Sequence, residues 1–236
     1  MTQSKSESQP LRSEVVGVLL AGGQSRRMFA DGPGRGDKGL LEIGGKTMLA
    51  HVIERLVPQV GAIVLNVNGD PARLGHFDLP FVADTIEGHV GPLAGILAGM
   101  RWARAHHPGA RFIATVSTDA PFVPVNLVAR LSAALAAAPG REQIAIARSG
   151  GHFHPVIGLW PVALADDLNA ALQDGVRKVL AWTDRHGTLG VEFAPVRIGE
   201  EEVDPFFNAN TPDELAEARR LLVSQSGVTM GVHDEG

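Results

Sequence analysis

Short apolar runs rich in β-branched residues recur along the chain, with segments of helical length between them. The runs Val15–Leu20, Ala62–Val67, Phe81–Ala83, Phe112–Val116, Gln143–Ala147, Val156–Leu159 and Val191–Val196 predict strands. Met48–Leu56, Pro92–His106, Pro124–Ala138, Pro161–Gln173, Val176–His186 and Pro212–Val223 predict helices. Local punctuation agrees with this division. Thr211 ahead of Pro212 supplies an N-cap followed by proline at N1, and Glu214 completes a capping box. Gly187 follows His186 as a C′ residue would.

Alternating strands and helices predict an α/β chain: a Rossmann-like, three-layer, doubly wound and mostly parallel sheet with helices on both faces. Such sheets bind ligands outside the carboxyl ends of their strands. No internal repeat or linker divides the sequence, so the expected organisation is one domain over residues 14–223, with a disordered tail at 1–13 and a flexible one at 224–236. The least regular stretch, Phe29–Asp37 (FADGPGRGD), carries three glycines and a proline and reads as a loop.

Composition narrows the chemistry. The 236 residues are 44% hydrophobic, enough to bury a sizeable core. A net charge of −5 argues against general coating of nucleic acid, so an anionic ligand must meet a local basic cluster. The absence of cysteine excludes disulfides, thiolate metal sites and a cysteine nucleophile, and fits a reducing cytoplasm. The opening MTQSKSESQPLRSE lacks the apolar core of a secretory signal. No run approaches the roughly 18 apolar residues of a membrane helix. The expected location is cytoplasmic, with neither membrane nor nucleic acid as a partner.

The first strand runs directly into Ala21-Gly22-Gly23. Glycines there permit close backbone approach and offer N–H donors to phosphate oxygens, although a plain turn has the same signature. Neither the Walker pattern nor the dinucleotide fingerprint is present. Arg26, Arg27, Lys38 and Lys46 cluster on this segment of an acidic chain, as a loop receiving a polyphosphate would require. Asp37-Lys38-Gly39 closes the irregular loop ahead of a strand-like piece, Leu40–Ile43.

Three strand ends are polar. Asn66, with Asn68 two residues on, ends one strand; Asp84 ends another; Asp119 follows a third. Any one of these suits a turn, but together they favour a site at the sheet edge. A carboxylate beside a polyphosphate is the usual protein contribution to Mg²⁺ binding, which gives Asp119 the metal role. Gly95 and Gly99 lie four apart on one helix face and predict close packing, whereas Gly91 would let a base or ribose approach the backbone. His152 and His154 share a strand face but lack a third ligand for a metal.

Taken in order, LLAGGQSRRM, DKGLLEIGGKTM, VGPLAGILAGM, STDAPFVP, HPVIGLW and FFNANTPDEL resemble the molybdenum cofactor guanylyltransferases over roughly residues 15–222. The first of these segments is shared with the wider group of sugar-nucleotide and related nucleotidyltransferases. The later ones narrow the resemblance to the molybdopterin branch. The resemblance implies the nucleotide-diphospho-sugar transferase type of fold and transfer of GMP from GTP to molybdopterin carrying molybdenum, with loss of pyrophosphate. It implies nucleotide contacts from the backbone of Leu20, Ala21 and Gly22. Phosphates would meet Lys38 and the arginines, with Arg26 counted as catalytic beside Lys38 and Asp119. Asn66 and Asp84 would hold the base or ribose side, and Asp119 would bind Mg²⁺. Molybdoenzyme chaperones or other cofactor-biosynthesis proteins are the implied protein partners. The link Phe29–Gly36 is several residues longer than the family's short connection.

For the anionic second substrate, Arg177 and Lys178, together with His152, His154 and Asn208 to Asn210, are candidates. An exposed helix start accounts for the basic pair equally well. The rival readings are a related enzyme using CTP or a sugar phosphate, a nucleotide-binding module without turnover, and a dinucleotide-dependent oxidoreductase. The presence of Lys38 and Asp119 argues against the module, which pyrophosphate release would exclude, and the missing fingerprint weighs against the oxidoreductase.

Overall fold

A computed structural model describes residues 12–21, 37–86, 91–138 and 143–227, with side chains to residue 222. In chain order the elements are β1 (Val15–Leu20), β2 (Glu42–Ile43), β3 (Lys46–Thr47), α1 (Met48–Leu56), β4 (Ala62–Asn66), β5 (Phe81–Val82), α2 (Pro92–His106), β6 (Phe112–Ser117) and α3 (Leu127–Ala137). There follow β7 (Ile144–Ser149), β8 (His152–Pro161), α4 (Ala165–Gln173), α5 (Val179–Thr183), β9 (Thr188–Glu192), β10 (Val196–Ile198), β11 (Glu201–Val203) and α6 (Pro212–Gly227).

Among the described residues the main sheet has seven strands in the order β5-β4-β1-β6-β8-β7-β9. All run parallel except β8, which is antiparallel to both neighbours. The exception has a local cause. Ser149 pairs with His152, so the β7–β8 connection is Gly150-Gly151, at φ +53° and +80°. A two-residue hairpin with both φ positive is the turn that matches strand twist, and glycine adopts it without strain.

The central strands are buried on both faces, which is why they read as nearly continuous apolar runs. Val15 and Leu19 of β1 pack with Leu49, Val52 and Leu56 of α1 and Leu127 and Leu131 of α3. Val16 and Val18 point to the opposite face, against Leu93, Ile96, Leu97 and Met100 of α2, with Leu168 of α4 and Trp182 of α5 beyond. This is the predicted three-layer arrangement. A third apolar cluster joins Ile43, Met48, Phe122, Ile198, Ala209 and Leu215, fixing the β2–β3 and β10–β11 hairpins and α6 to one end of the sheet.

The glycine face of α2 lets it approach β1 and β4 closely. A Cβ on Gly99 would lie 2.6 Å from Val18 Cγ2, and one on Gly95 would lie 2.4 Å from Asn66 Oδ1. No described helix is long and apolar enough to cross a membrane.

The structure differs from the sequence expectation at several boundaries. Leu40–Ile43 is not one strand: Lys38–Leu40 forms a 3₁₀ turn N-capped by Asp37, and β2 begins at Glu42. Val191–Val196 is divided, because Phe193 turns into the core and Pro195 lacks an N–H for a ladder. The helices expected from Pro124, Pro161 and Val176 start at Leu127, Ala165 and Val179, and the last of them stops at Thr183, short of His186. Helix α6 runs to Gly227, into the segment expected as a tail. At the other end Arg12–Glu14 forms a 3₁₀ turn, and the Arg12 Nε donates to Val60 O at 2.7 Å, so the expected tail loses its inner residues to the fold. Residues 1–11 and 228–236 lie outside the described residues.

The close approach at Gly99 is testable. Gly99→Ala should lower stability by about 1–3 kcal/mol through overpacking. Gly109→Ala, with nothing within 4 Å of its added Cβ, should stay within about 0.5 kcal/mol of the parent. Urea unfolding midpoints of the two variants make the comparison.

Candidate functional site

The chain leaves β1 to one side to form β4 and β5, and returns through α2 to the other side as β6. This reversal opens a crevice at the carboxyl ends of β1 and its neighbours, where ligands bind in open α/β sheets. Two polar clusters lie there, one on each side of β1.

The first cluster is built at the ends of β4 and β5. Asn66 is 2% exposed, and its Nδ2 donates to Asp84 Oδ1 at 2.9 Å and Val82 O at 3.3 Å. Asn68 grips the same aspartate twice: its Nδ2 donates to Asp84 Oδ2 at 2.7 Å, and its Oδ1 accepts from the Asp84 N–H at 3.1 Å. A buried amide must find partners, and the open space at Gly95 leaves Asn66 room to reach them. The Asp84 carboxylate is thereby fixed in one orientation. Two of its roughly four acceptor positions are used.

The second cluster brings together three distant segments. Asp119 follows β6, and the Ser117 hydroxyl donates to its Oδ1. Lys38 sits on the 3₁₀ turn that Asp37 caps, Asp37 Oδ1 accepting from the Gly39 N–H at 3.1 Å. This turn can lie on β6 because Gly39 has no side chain: an added Cβ would be 3.1 Å from Thr118 Cβ. Lys38 Nζ stands 3.6 Å from Asp119 Oδ2 and donates to Asn210 Oδ1 at 2.7 Å. The Lys38 and Asp119 side chains are each 15% exposed. Asn210 is held by the predicted capping box, in which Glu214 N–H donates to Thr211 Oγ1 while Glu214 Oε2 accepts from the Asn210 and Thr211 N–H groups.

The expected residues fare differently. Lys38, Asn66, Asp84 and Asp119 all reach the crevice edge. The Ala21 N–H is already bonded to Asn66 O at 3.0 Å, so that donor is not free as expected for a backbone contact to a nucleotide. Gly22, Gly23, Arg26, Arg27 and the Phe29–Gly36 loop lie outside the described residues, as does the start of the 88–100 segment. Lys46 does not join the cluster; it pairs with Glu54 of α1 at 2.6 Å in an exposed position. The Arg177 guanidinium caps α4, donating to Leu172 O at 2.7 Å and Val176 O at 2.9 Å. His154 contacts Ser149 Oγ at 2.6 Å, and Ser149 donates in turn to Asp204 at 2.8 Å.

Arg73, Ser117, Ser149 and Asp204 were not singled out from sequence. Arg73 forms an ion pair with Asp37 at 3.4 Å, and its signal is weak because it lies on a 3₁₀ helix, Pro71–Phe77, within the irregular link between β4 and β5. The Ser149–Asp204 contact joins strand to loop across more than 50 residues of chain, for which local pattern gives no sign.

Among the described residues no three His, Cys, Asp or Glu side chains gather into a metal cage. The donor set suits instead a hard cation that takes one carboxylate, Asp119, and completes its shell from phosphate oxygens and water.

Residues 17–188 match the model of the MobA-like NTP transferase domain. The chain is 50% identical over 212 residues to a molybdenum cofactor guanylyltransferase of Bradyrhizobium sp. (strain ORS 278), covering 89% of this chain and 94% of that protein. It is 46% identical over 217 residues to one of Mesorhizobium japonicum, covering 92% and 100%. Among solved structures, molybdopterin-guanine dinucleotide biosynthesis protein A from Archaeoglobus fulgidus superposes with a TM-score of 0.63 at 23% identity, covering 88% of this chain and 98% of that one. The 4-diphosphocytidyl-2C-methyl-D-erythritol synthase of Anaerococcus prevotii gives 0.59 at 12% identity, covering 89% and 96%. The structural likenesses show a shared fold.

Burial holds His154 below the ordinary histidine range; Asp204 and Glu192 pull the other way, and His152 reinforces burial. The unfolded histidine therefore takes its proton at a higher pH than the folded one. The stability associated with neutral His154 is complete above about pH 6.5 and is lost as pH falls through the lower folded value. His154→Gln should flatten the loss of stability in that acid window, as read from urea midpoints measured across a pH series.

Proposed function

The chain belongs to the MobA-like NTP transferase family, and from that premise we propose that it transfers GMP from GTP to molybdopterin carrying molybdenum. An oxygen of the acceptor's phosphate attacks the α-phosphorus of GTP. The bond from that phosphorus to the oxygen bridging to the β-phosphate breaks, and pyrophosphate leaves. The observation that carries this reading is the meeting of Lys38 and Asp119, a cation and a carboxylate 3.6 Å apart, at the end of β6.

The chemistry asks little of a general base. A phosphate monoester has a second pKa of about 6, so the nucleophile is largely ionised at neutral pH. The main obstacle is repulsion between two polyanions, which charge and positioning overcome. Lys38 is the described residue suited to the phosphates, with Arg26 proposed beside it. Asp119 would hold Mg²⁺, which when bound supplies positive charge to the phosphate oxygens. Asp84, fixed by Asn66 and Asn68, offers acceptors to the N–H groups of guanine or to ribose hydroxyls. Leu20 and Gly22 are proposed to contribute backbone contacts. Asn208 and Asn210 are the candidates on the acceptor side, and Asn208 Oδ1 is buried with no hydrogen-bond partner among the described residues.

Pyrophosphate release from GTP, CTP and ATP, each with Mg²⁺ and molybdenum-loaded molybdopterin, tests the reading. Release with GTP alone is expected. A preference for CTP would move the protein to the cytosine form of the cofactor, and no release with any nucleotide would contradict nucleotidyl transfer to this acceptor. Asp119→Ala should lower turnover by about 100-fold or more while the unfolding midpoint shows an intact fold. Lys38→Ala should raise the KM for GTP by about tenfold.

A further inference from the structure

Arg73 lies on the 3₁₀ helix Pro71–Phe77, which Asp70 caps by accepting from the Ala72 N–H at 2.9 Å. Its guanidinium reaches three points on two segments. Nη1 donates to Asp70 O, Nη2 donates to Asn68 O at 3.4 Å, and Nε donates to Asp37 Oδ2 at 3.4 Å. Asn68 is the residue that grips Asp84 at both carboxylate and backbone. Asp37 is the residue that caps the turn carrying Lys38. A continuous chain of polar contacts therefore runs from Asp84 through Asn68, Arg73 and Asp37 to the Lys38 turn.

The electrostatics give this chain a direction. The Asp37 side chain is only 9% exposed, so its charge is largely removed from water and requires a cation. Among the described residues Arg73 meets that requirement, and Lys38 is the next cation along the chain, adjacent to Asp37 in sequence. With Arg73 in place, the Lys38 ammonium is left to Asn210 and Asp119. A planar guanidinium can serve a carboxylate and two carbonyls at once, which a lysine point charge cannot reproduce.

We propose that Arg73 is a positioning residue that ties the Asn68–Asp84 side of the site to the Lys38 side and, by neutralising Asp37, keeps Lys38 available to phosphate. The proposal rests on the reading that Lys38 meets the phosphates of the nucleotide. Loss of Arg73 leaves Asp37 to draw Lys38 away from them. Removing the Asp37 charge as well cancels the competition.

The test is GTP affinity, with Mg²⁺, of Arg73→Met, Arg73→Lys, the double variant Asp37→Asn with Arg73→Met, and Lys38→Ala as reference, each with its unfolding midpoint. Arg73→Met should weaken GTP about tenfold and leave the KM for the acceptor unchanged. Arg73→Lys should recover part of the loss. The double variant should recover most of it, an outcome that a purely structural role or a direct phosphate contact by Arg73 would not produce. If Arg73→Met fails to fold, the lysine and double variants carry the comparison. Wild-type affinity in Arg73→Met beside a weakened Lys38→Ala would overturn the proposal alone. A double variant as weak as Arg73→Met would overturn it too. Unchanged affinity in Lys38→Ala would overturn the underlying reading of the nucleotide site.

Discussion

Lys38 and Asp119 face each other across 3.6 Å, both mostly shielded from water, and each offsets the other's charge beside the Asn210 amide oxygen and the Ser117 hydroxyl. Much of the crevice is organised so that these two groups meet. The parallel pairing of β1 with β6 sets the strand ends level, Leu20 opposite Ser117. The bare α-carbon of Gly39 lets the Lys38 turn settle on Thr118. The capping box at Thr211 and Glu214 delivers Asn210 to the lysine. The pair itself carries no net charge. On the proposed reading, a nucleotide arriving with a divalent cation would bring a partner for each member of the pair.

The other half of the crevice follows a different rule, in which amides rather than cations hold a carboxylate. Asn66 is buried beneath Asp84 and cannot shift without meeting α2, which passes close because Gly95 and Gly99 have no side chains. Helix packing therefore reaches the Asp84 side of the site through a single side chain. Arg73 links this rigid half to the Lys38 turn, so the two halves keep a fixed relation although their residues come from separate connections.

The fold was largely legible because its signals are local. Buried strands read as apolar runs, and Thr211-Pro212 with Glu214 announced the start of α6. The boundaries that moved are those where tertiary contacts override propensity, as where Phe193 leaves its strand for the core. At the site, polar residues at apolar strand ends were visible as candidates. Their partners were not: the Arg73–Asp37 and Lys38–Asn210 contacts span sequence separations that no periodic pattern reports. Lys46 and Arg177 show the converse, basic residues that fit a ligand on paper but are committed to Glu54 and to the end of α4.

The most direct measurement is calorimetric titration of GTP, with and without Mg²⁺, into the wild-type protein and Asp119→Asn. If the ion pair is what the metal–nucleotide must open, neutralising Asp119 frees Lys38. The variant should then bind metal-free GTP more tightly than the wild type and lose the enhancement that Mg²⁺ gives. Weaker metal-free binding by the variant, together with an undiminished Mg²⁺ enhancement, would contradict the account.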